Sequence, residues 1–424
     1  MLDQTALAGG LRRAFWLMGE KLLRLGGTFL LMTAIARSLG PEQFAPLALA
    51  TAITTVLGFL GSLGLESVVL RDMAQRPDAV QAFAVHYLRI RCAGALLVPP
   101  LAVAYVWCMH TGDLHLLLAT AVLSFSALCV SLDVVDLVLQ SRHQMLQTSV
   151  IRSTAFAIAA IVKILLVLAS SSLVWFAVAQ LLEFVLTAAM YGVIGWRQRW
   201  LQPSAPQAVT VRAWLHAHRY MVMSGLTVAL YSKIDMLVIG QLLPKATLGQ
   251  YAIAVGMSGA LNVVGMALSQ SVAPRLSRLH VTDPSSYRRA MRSFLLLMLV
   301  ASCALAALAS LLAHPLITLL AGSAFTPAAD ILQVLAWVCV PVFLGIATSQ
   351  IIVNEHLYGL SLLRTAAGLA FIAIIIVPAA QHGGAIGVAW AIVASSCVAT
   401  GMLLASGVVR AQLASLRHQD TPRQ

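Results

Sequence analysis

The chain alternates long apolar runs with short polar breaks. Twelve runs approach or exceed the ~20 residues that carry a helix across ~30 Å of hydrocarbon. They fall at about 14–36, 44–66, 86–108, 114–138, 150–169, 173–195, 220–242, 248–272, 292–313, 329–353, 358–380 and 384–406. These lengths predict helices rather than barrel strands, and a helix satisfies its own backbone hydrogen bonds in lipid. Alternate connections are very short: "SLGPEQ", "HTGD", "SSS", "PKATL", "AGSAFTP" and "QHGG". The longest of the others, about 196–219 and 273–291, are basic and leave no room for an appended catalytic domain.

Charge gives this pattern an orientation. On the side of the longer connections lie Arg12 and Arg13, Arg71, Arg76, Arg89 and Arg91, Arg142 and Arg152, and Arg197, Arg199, Arg212 and Arg219. The same side holds Arg275, Arg278, Arg288, Arg289 and Arg292, then Arg364, then Arg410, Arg417 and Arg423. The opposite side holds Arg37 and Lys245. Arginine and lysine concentrate on the cytoplasmic side of membrane proteins, so both termini are expected in the cytoplasm, as an even number of crossings requires. The first run has no small-residue cleavage site after it and reads as a retained first helix.

The two halves resemble each other. Laying Phe44–Arg71 over Leu248–Arg275 without a gap pairs Ala48 with Ala252, Ala50 with Ala254, Leu57 with Leu261 and Gly61 with Gly265. It also pairs Ser67, Val68 and Arg71 with Ser271, Val272 and Arg275, setting "ESVVLR" over "QSVAPR". Matches of alanine and leucine carry little weight in so apolar a chain; the charged end of the run carries more. The expected architecture is an all-α integral membrane protein, with twelve helices in two pseudo-repeated six-helix lobes around a central cavity. The lobes would be residues 1–195 and 220–406, with a cytoplasmic linker at 196–219 and a tail at 407–424.

Composition agrees. Hydrophobic residues make up 60 % of the chain, charged residues 10 %, and the mean hydropathy is +0.89. Soluble domains carry roughly 25 % charge. The formal charge of +12 therefore reports topology and contact with anionic lipid rather than nucleic acid. Six cysteines stand singly in apolar segments and read as small core residues, without zinc spacing. No phosphate-cradling glycine loop, nucleophile motif or histidine ligand set occurs, so no cofactor and no ATP hydrolysis are expected.

Charges within apolar runs cost at least ~2.5–3.5 kcal/mol each and mark candidate sites. Glu20, Lys21 and Arg24 share the first run. Glu20 can pair with Arg24 four residues on, and Lys21 and Arg24 share a stripe. They form either a cationic cavity wall for an anion, or a local ion pair beside a lysine that snorkels to the surface. Lys233 and Asp235 lie two apart in the seventh run, ~200° around a continuous helix, so they cannot be partners on one face. Lys163 and Glu183, in the fifth and sixth runs, either pair with each other or face a cavity. Asp133 and Asp136 sit toward the cytoplasmic end of the fourth run, where a hydrated mouth or snorkelling arginines would satisfy them. Cations spread over the first, fifth and seventh runs suit an anionic ligand better than a cationic drug.

At this point the residues resemble a known family. "SKIDMLVIGQLLPKATLGQYAIA" (Ser232–Ala254), "ARSLGPEQFAPLALA" (Ala36–Ala50), "LGLESVVLRDMA" (Leu63–Ala74) and "ILQVLAWVCVPVF" (Ile331–Phe343) carry the resemblance. They are similar to segments of the O-antigen and exopolysaccharide lipid flippases of the multidrug/oligosaccharidyl-lipid/polysaccharide exporter superfamily. The resemblance implies an inner-membrane flippase, not an enzyme, moving an undecaprenyl-diphosphate-linked glycan to the periplasmic leaflet by alternating access. It implies a diphosphate held by Lys21, Arg24, Lys163 and Lys233, with Glu20, Glu183 and Asp235 in coupling or inter-helix pairing. Implied partners are a proton or sodium ion, membrane lipid and a polysaccharide polymerase complex. The peptidoglycan-precursor branch typically has two further helices, which weakens a lipid II assignment. The alternatives are a multidrug/cation antiporter of the same superfamily, and a polysaccharide polymerase or ligase, for which no outward loop is long enough.

Overall fold

In the computed structural model the structure describes residues 4–200, 202, 216, 218–354 and 358–405. The side chains of 4–23, 281, 284, 353, 354, 358, 359 and 361 lie outside that description. All regular structure among the described residues is helical. Among the described residues, nine helices are long and apolar enough to cross a membrane, or ten if the bent pair Arg219–Tyr231 and Ile234–Leu242 is one span. Two of the long helices are each two arms. Helix α1 (Gln4–Ser62) would be ~88 Å long if straight. It is interrupted at Gly40, whose φ of 75° and ψ of 167° only glycine adopts readily, and Pro41 then opens the second arm, where a missing N–H costs nothing. Helix α16 (Tyr358–Ala405) is interrupted likewise at Gly384 (φ 56°, ψ −145°). Counting each arm as a span reaches the twelve crossings that the hydropathy pattern predicts, and both breaks fall inside predicted turns, "SLGPEQ" and "QHGG".

Packing divides the chain into two compact units, Met1–Gln241 and Leu242–Gln424. The predicted boundary lay earlier, in the linker at 196–219, most of which is outside the described residues, as is the tail at 407–424. The difference arises because α9 (Arg219–Tyr231) packs on α1, so the seventh span groups with the first unit.

The first unit continues with α2 (Glu66–Gln75), α3 (Val80–Met109), α4 (Leu114–Ser124), α5 (Ser126–Val130) and α6 (Val134–Ser141). It is completed by α7 (Met145–Leu168), α8 (Leu173–Arg197) and α9, with α10 (Ile234–Leu242) reaching the division. Its apolar core joins α2, α3 and α6 through Leu65, Val69, Met73, Tyr87 and Val138. At Gly94 of α3 a Cβ would collide with the carbonyl oxygen of Leu60 on α1, so only glycine permits that approach. The seventh span is not the continuous helix expected. It bends by 43° at Ser232–Lys233, where Ser232 Oγ donates to Ala229 O (2.8 Å) and Lys233 N to Leu230 O (3.2 Å). The 200° argument for Lys233 and Asp235 therefore does not apply, because Lys233 lies in the break.

The second unit comprises α11 (Lys245–Thr282), α12 (Pro284–Leu311), α13 (Ala313–Leu320), α14 (Ala328–Leu335), α15 (Cys339–Asn354) and α16. The connection predicted at 273–291 is mostly helix: α11 runs ~57 Å, well past the hydrocarbon, before Asp283 caps α12. The tenth span is split by a 3-10 turn at Ala336–Val338, next to Pro341, which has no N–H to bond back along the helix. Large side chains exposed along the spans, such as Leu168 and Leu311, are ordinary where the neighbour is lipid.

Candidate functional site

Within the first unit, the second arm of α1 sets Thr51, Thr54, Thr55, Gly58 and Ser62 on one stripe at helical spacing, facing a cavity of about 540 Å³. The threonine hydroxyls donate to carbonyls of their own helix, Thr51 to Leu47 (2.8 Å), Thr54 to Ala50 (2.8 Å) and Thr55 to Thr51 (2.6 Å). Their protons are thus engaged, and the oxygens present acceptor lone pairs at the wall. Ser126, Gln180 and Ser224 complete the polar lining. Helix α9 comes close because Gly225 faces Gly64 (φ +66°): a Cβ on Gly64 would lie 3.0 Å from Gly225 Cα, and one on Gly225 2.7 Å from Phe59.

One carboxylate, Glu66 in the first turn of α2, also lines this cavity. Arg91 of α3 holds it, with Nη1 3.2 Å from Glu66 Oε1. Arg91 Nη2 donates to Val130 O (2.9 Å), and its guanidinium lies 5.4 Å from the Tyr87 ring centre. Tyr87 in turn donates its hydroxyl to Ser62 O (2.8 Å). Arg91 was expected as a cytoplasmic-side cation at the start of the third run; it is buried well inside α3, which starts at Val80 and not near 86.

A second, smaller hollow of about 70 Å³ shares Val130 and Phe184 with the first and is lined by Arg24, Asp133, Arg152, Glu183 and Thr187. Arg152 of α7 bridges two carboxylates, 2.9 Å from Asp136 Oδ2 and 3.3 Å from Asp133 Oδ2, and its Nε donates to Tyr191 Oη (3.2 Å). Asp136 accepts further bonds from Thr148 (2.7 Å) and Gln140 (3.1 Å). Lys163 Nζ lies 3.1 Å from Glu183 Oε2. Among these described deep groups, Arg24, Arg91, Arg152 and Lys163 stand against Glu66, Asp133, Asp136 and Glu183, so the charge is balanced.

The predicted site residues are therefore placed differently from one another. Arg24 lines the small hollow, and Lys163 and Glu183 face each other across α7 and α8. Asp235 is buried at the start of α10, where its Oδ1 accepts from Met236 N (2.8 Å). The side chains of Glu20 and Lys21 lie outside the described residues. None of Arg24, Lys163 or Lys233 lines the larger cavity, whose only described charged residue is Glu66. Glu66 and Arg91 escaped the sequence reading because partners 25 positions apart leave no local spacing. Asp133 and Asp136 did carry a signal, two acids in an apolar run that needed an arginine.

A family model described as "Polysaccharide biosynthesis protein" matches residues 11–280, and a second, "MatE", matches residues 221–379. No curated protein matches the chain. Several solved structures share the fold. An inward-facing multidrug resistance MATE family transporter of the MOP superfamily aligns at TM-score 0.68 and 16 % identity, over 93 % of this chain and 96 % of that one. The lipid II flippase MurJ, inward closed, aligns at TM-score 0.68 and 12 % identity, over 92 % and 87 %. The Vibrio cholerae MATE transporter VcmN aligns at TM-score 0.65 and 17 % identity, over 98 % of each chain.

Proposed function

We propose, since the chain belongs to the polysaccharide biosynthesis protein family, that it is a flippase for an undecaprenyl-diphosphate-linked oligosaccharide in a bacterial inner membrane, with both termini cytoplasmic. The observation that carries this reading is the pair of adjoining hollows, one walled by hydroxyls and a carboxylate, the other by Arg24 and Arg152 beside Asp133 and Glu183. Sugar hydroxyls are donors that match the acceptor oxygens of Thr51, Thr54, Thr55 and Glu66. Phosphate oxygens match the guanidinium fork of Arg24, with Lys21 and Lys233 as further candidate cations. A cavity of 540 Å³ is within the usual range for small-molecule sites, about 300–1,000 Å³, and holds a glycan head while the polyprenyl tail stays in lipid. Movement follows by exposing the cavity first to one leaflet and then to the other. Charge balance in the smaller hollow means an arriving phosphate must displace a carboxylate from Arg152 or Lys163. A proton or sodium ion taken up by Glu183 or Asp235 would offset that exchange. O-antigen or exopolysaccharide assembly, beside a polymerase complex, is the setting this cargo implies.

The MatE match over 221–379 favours a second reading, a multidrug/cation antiporter. Proteoliposomes separate the two. The purified chain is reconstituted with a fluorescent polyprenyl-diphosphate oligosaccharide, and lectin access is followed from the far side. Flipping that Arg24→Ala or Lys233→Ala abolishes, with the protein still inserted, supports the flippase. Ethidium uptake without any glycolipid movement overturns it.

A further inference from the structure

The second unit contains a hollow that the proposed transport does not use. Helix α16 folds back at Gly384. A Cβ on Gly387 would collide with Ala379 O, Ser395 Oγ donates to Gly368 O (2.9 Å), and Leu363 and Arg364 share a hollow with Met402 and Leu403. The two arms are therefore antiparallel, with their free ends together at one membrane surface. At that end lies a hollow of about 220 Å³ lined by Leu360, Leu363, Arg364, Met402, Leu403 and Ala405. Five of the six described residues that line it are apolar, and the sixth is an arginine.

The arginine is held in place from behind. Arg364 Nη1 donates to Gly345 O on α15 (3.3 Å), and a Cβ on Gly345 would lie 3.0 Å from that nitrogen. The glycine leaves the guanidinium room against the α15 backbone. The hydropathy pattern starts this span at about 358, so Arg364 stands ~9 Å inside its end, a depth from which a long cationic side chain reaches the headgroups. Leu363 and Met402, which are 50 % and 38 % exposed, leave the hollow open on one side.

We propose that this hollow binds an anionic phospholipid of the bilayer, its phosphate on Arg364 and the first part of an acyl chain along Leu363, Met402 and Leu403. A guanidinium fork fits two phosphate oxygens, and basic recesses between membrane helices are suited to anionic headgroups. The apolar wall and small volume suit a chain of methylenes and not a glycan.

The test uses the full chain in nanodiscs of equal phosphatidylglycerol and phosphatidylcholine, with retained lipids weighed by native mass spectrometry after gentle release. Wild type retains phosphatidylglycerol in preference. Arg364→Ala lowers that retention about tenfold, the size of one charge-assisted hydrogen bond, whereas Arg275→Ala, an exposed arginine on α11, leaves it unchanged. Gly345→Ala keeps every charge but crowds Nη1, and it lowers retention as well; it decides the matter if Arg364→Ala fails to fold. Equal retention by wild type, Arg364→Ala and Gly345→Ala overturns the proposal. So does displacement of phosphatidylglycerol by equimolar undecaprenyl phosphate, which would make the hollow a carrier-lipid site.

Discussion

The Glu66–Arg91 pair is buried unequally, and that asymmetry predicts unequal mutants. Arg91 is 1 % exposed at its side chain, whereas Glu66 is 55 % exposed and faces the larger cavity. Glu66→Ala strands a guanidinium with no carboxylate, and breaking a buried pair from one side costs about 3–5 kcal/mol. Arg91→Met fills much of the same volume and leaves a carboxylate that hydrates in a polar cavity of 540 Å³. It loses the bond to Val130 O and the contact with Tyr87, together about 2–4 kcal/mol. Removing a buried charge offsets part of that, so the net cost is ~1–2 kcal/mol. For a unit of this size each kcal/mol moves the midpoint by roughly 2 °C. Thermal unfolding in detergent, followed by fluorescence, should fall by roughly 6–10 °C for Glu66→Ala and 2–4 °C for Arg91→Met. The double variant should sit near Arg91→Met alone, because the stranded charge has gone. Equal shifts for the two single variants, or an additive double variant, would refute the reasoning from burial.

Gly94→Ala should abolish stable insertion, since a Cβ there collides with the Leu60 carbonyl, while Gly58→Ala, with open space around it, should express normally. Lys163→Met should lower stability by leaving Glu183 without its 3.1 Å partner, and Lys163→Met with Glu183→Leu should recover most of the loss, read by size-exclusion profile and midpoint. Asp283 caps α12, and hydrogen bonds from Ser286 and Ser285 hold its carboxyl well below the ordinary carboxylate value. Its contribution is therefore complete above the unfolded pKa of about 3.9 and is lost as pH falls toward the lower folded value. A pH series of melting midpoints should show an acid limb that is shallower in Asp283→Asn, with no difference in shape between pH 5 and 8.

Hydropathy alone determined the class, the twelve crossings and the position of the tight turns. A bilayer imposes one length and one polarity on every span, so that information is local and stands in the sequence. Gly40–Pro41 and Gly384 show the same thing at finer scale, because a positive φ or a missing N–H is a property of one or two residues. The site was only half legible. Lys163, Glu183, Asp133 and Asp136 stood out because a charge in an apolar run is costly wherever it points, yet which of them meet depended on how α6, α7 and α8 pack. Arg91 was hidden by the opposite problem: next to Arg89 at a helix end it reads as an ordinary surface cation. Only the tertiary structure, through the glycine contact of α3 with α1 and the turn at Gly64, carries it 1 % exposed beneath Glu66. Lys233 and Asp235 needed the structure too, since the 43° bend between α9 and α10 falls at Ser232–Lys233, where no helix-breaking residue marks it in the sequence. Partners far apart in sequence leave no spacing to read, and a chain so uniformly apolar offers few other marks of which helix faces which.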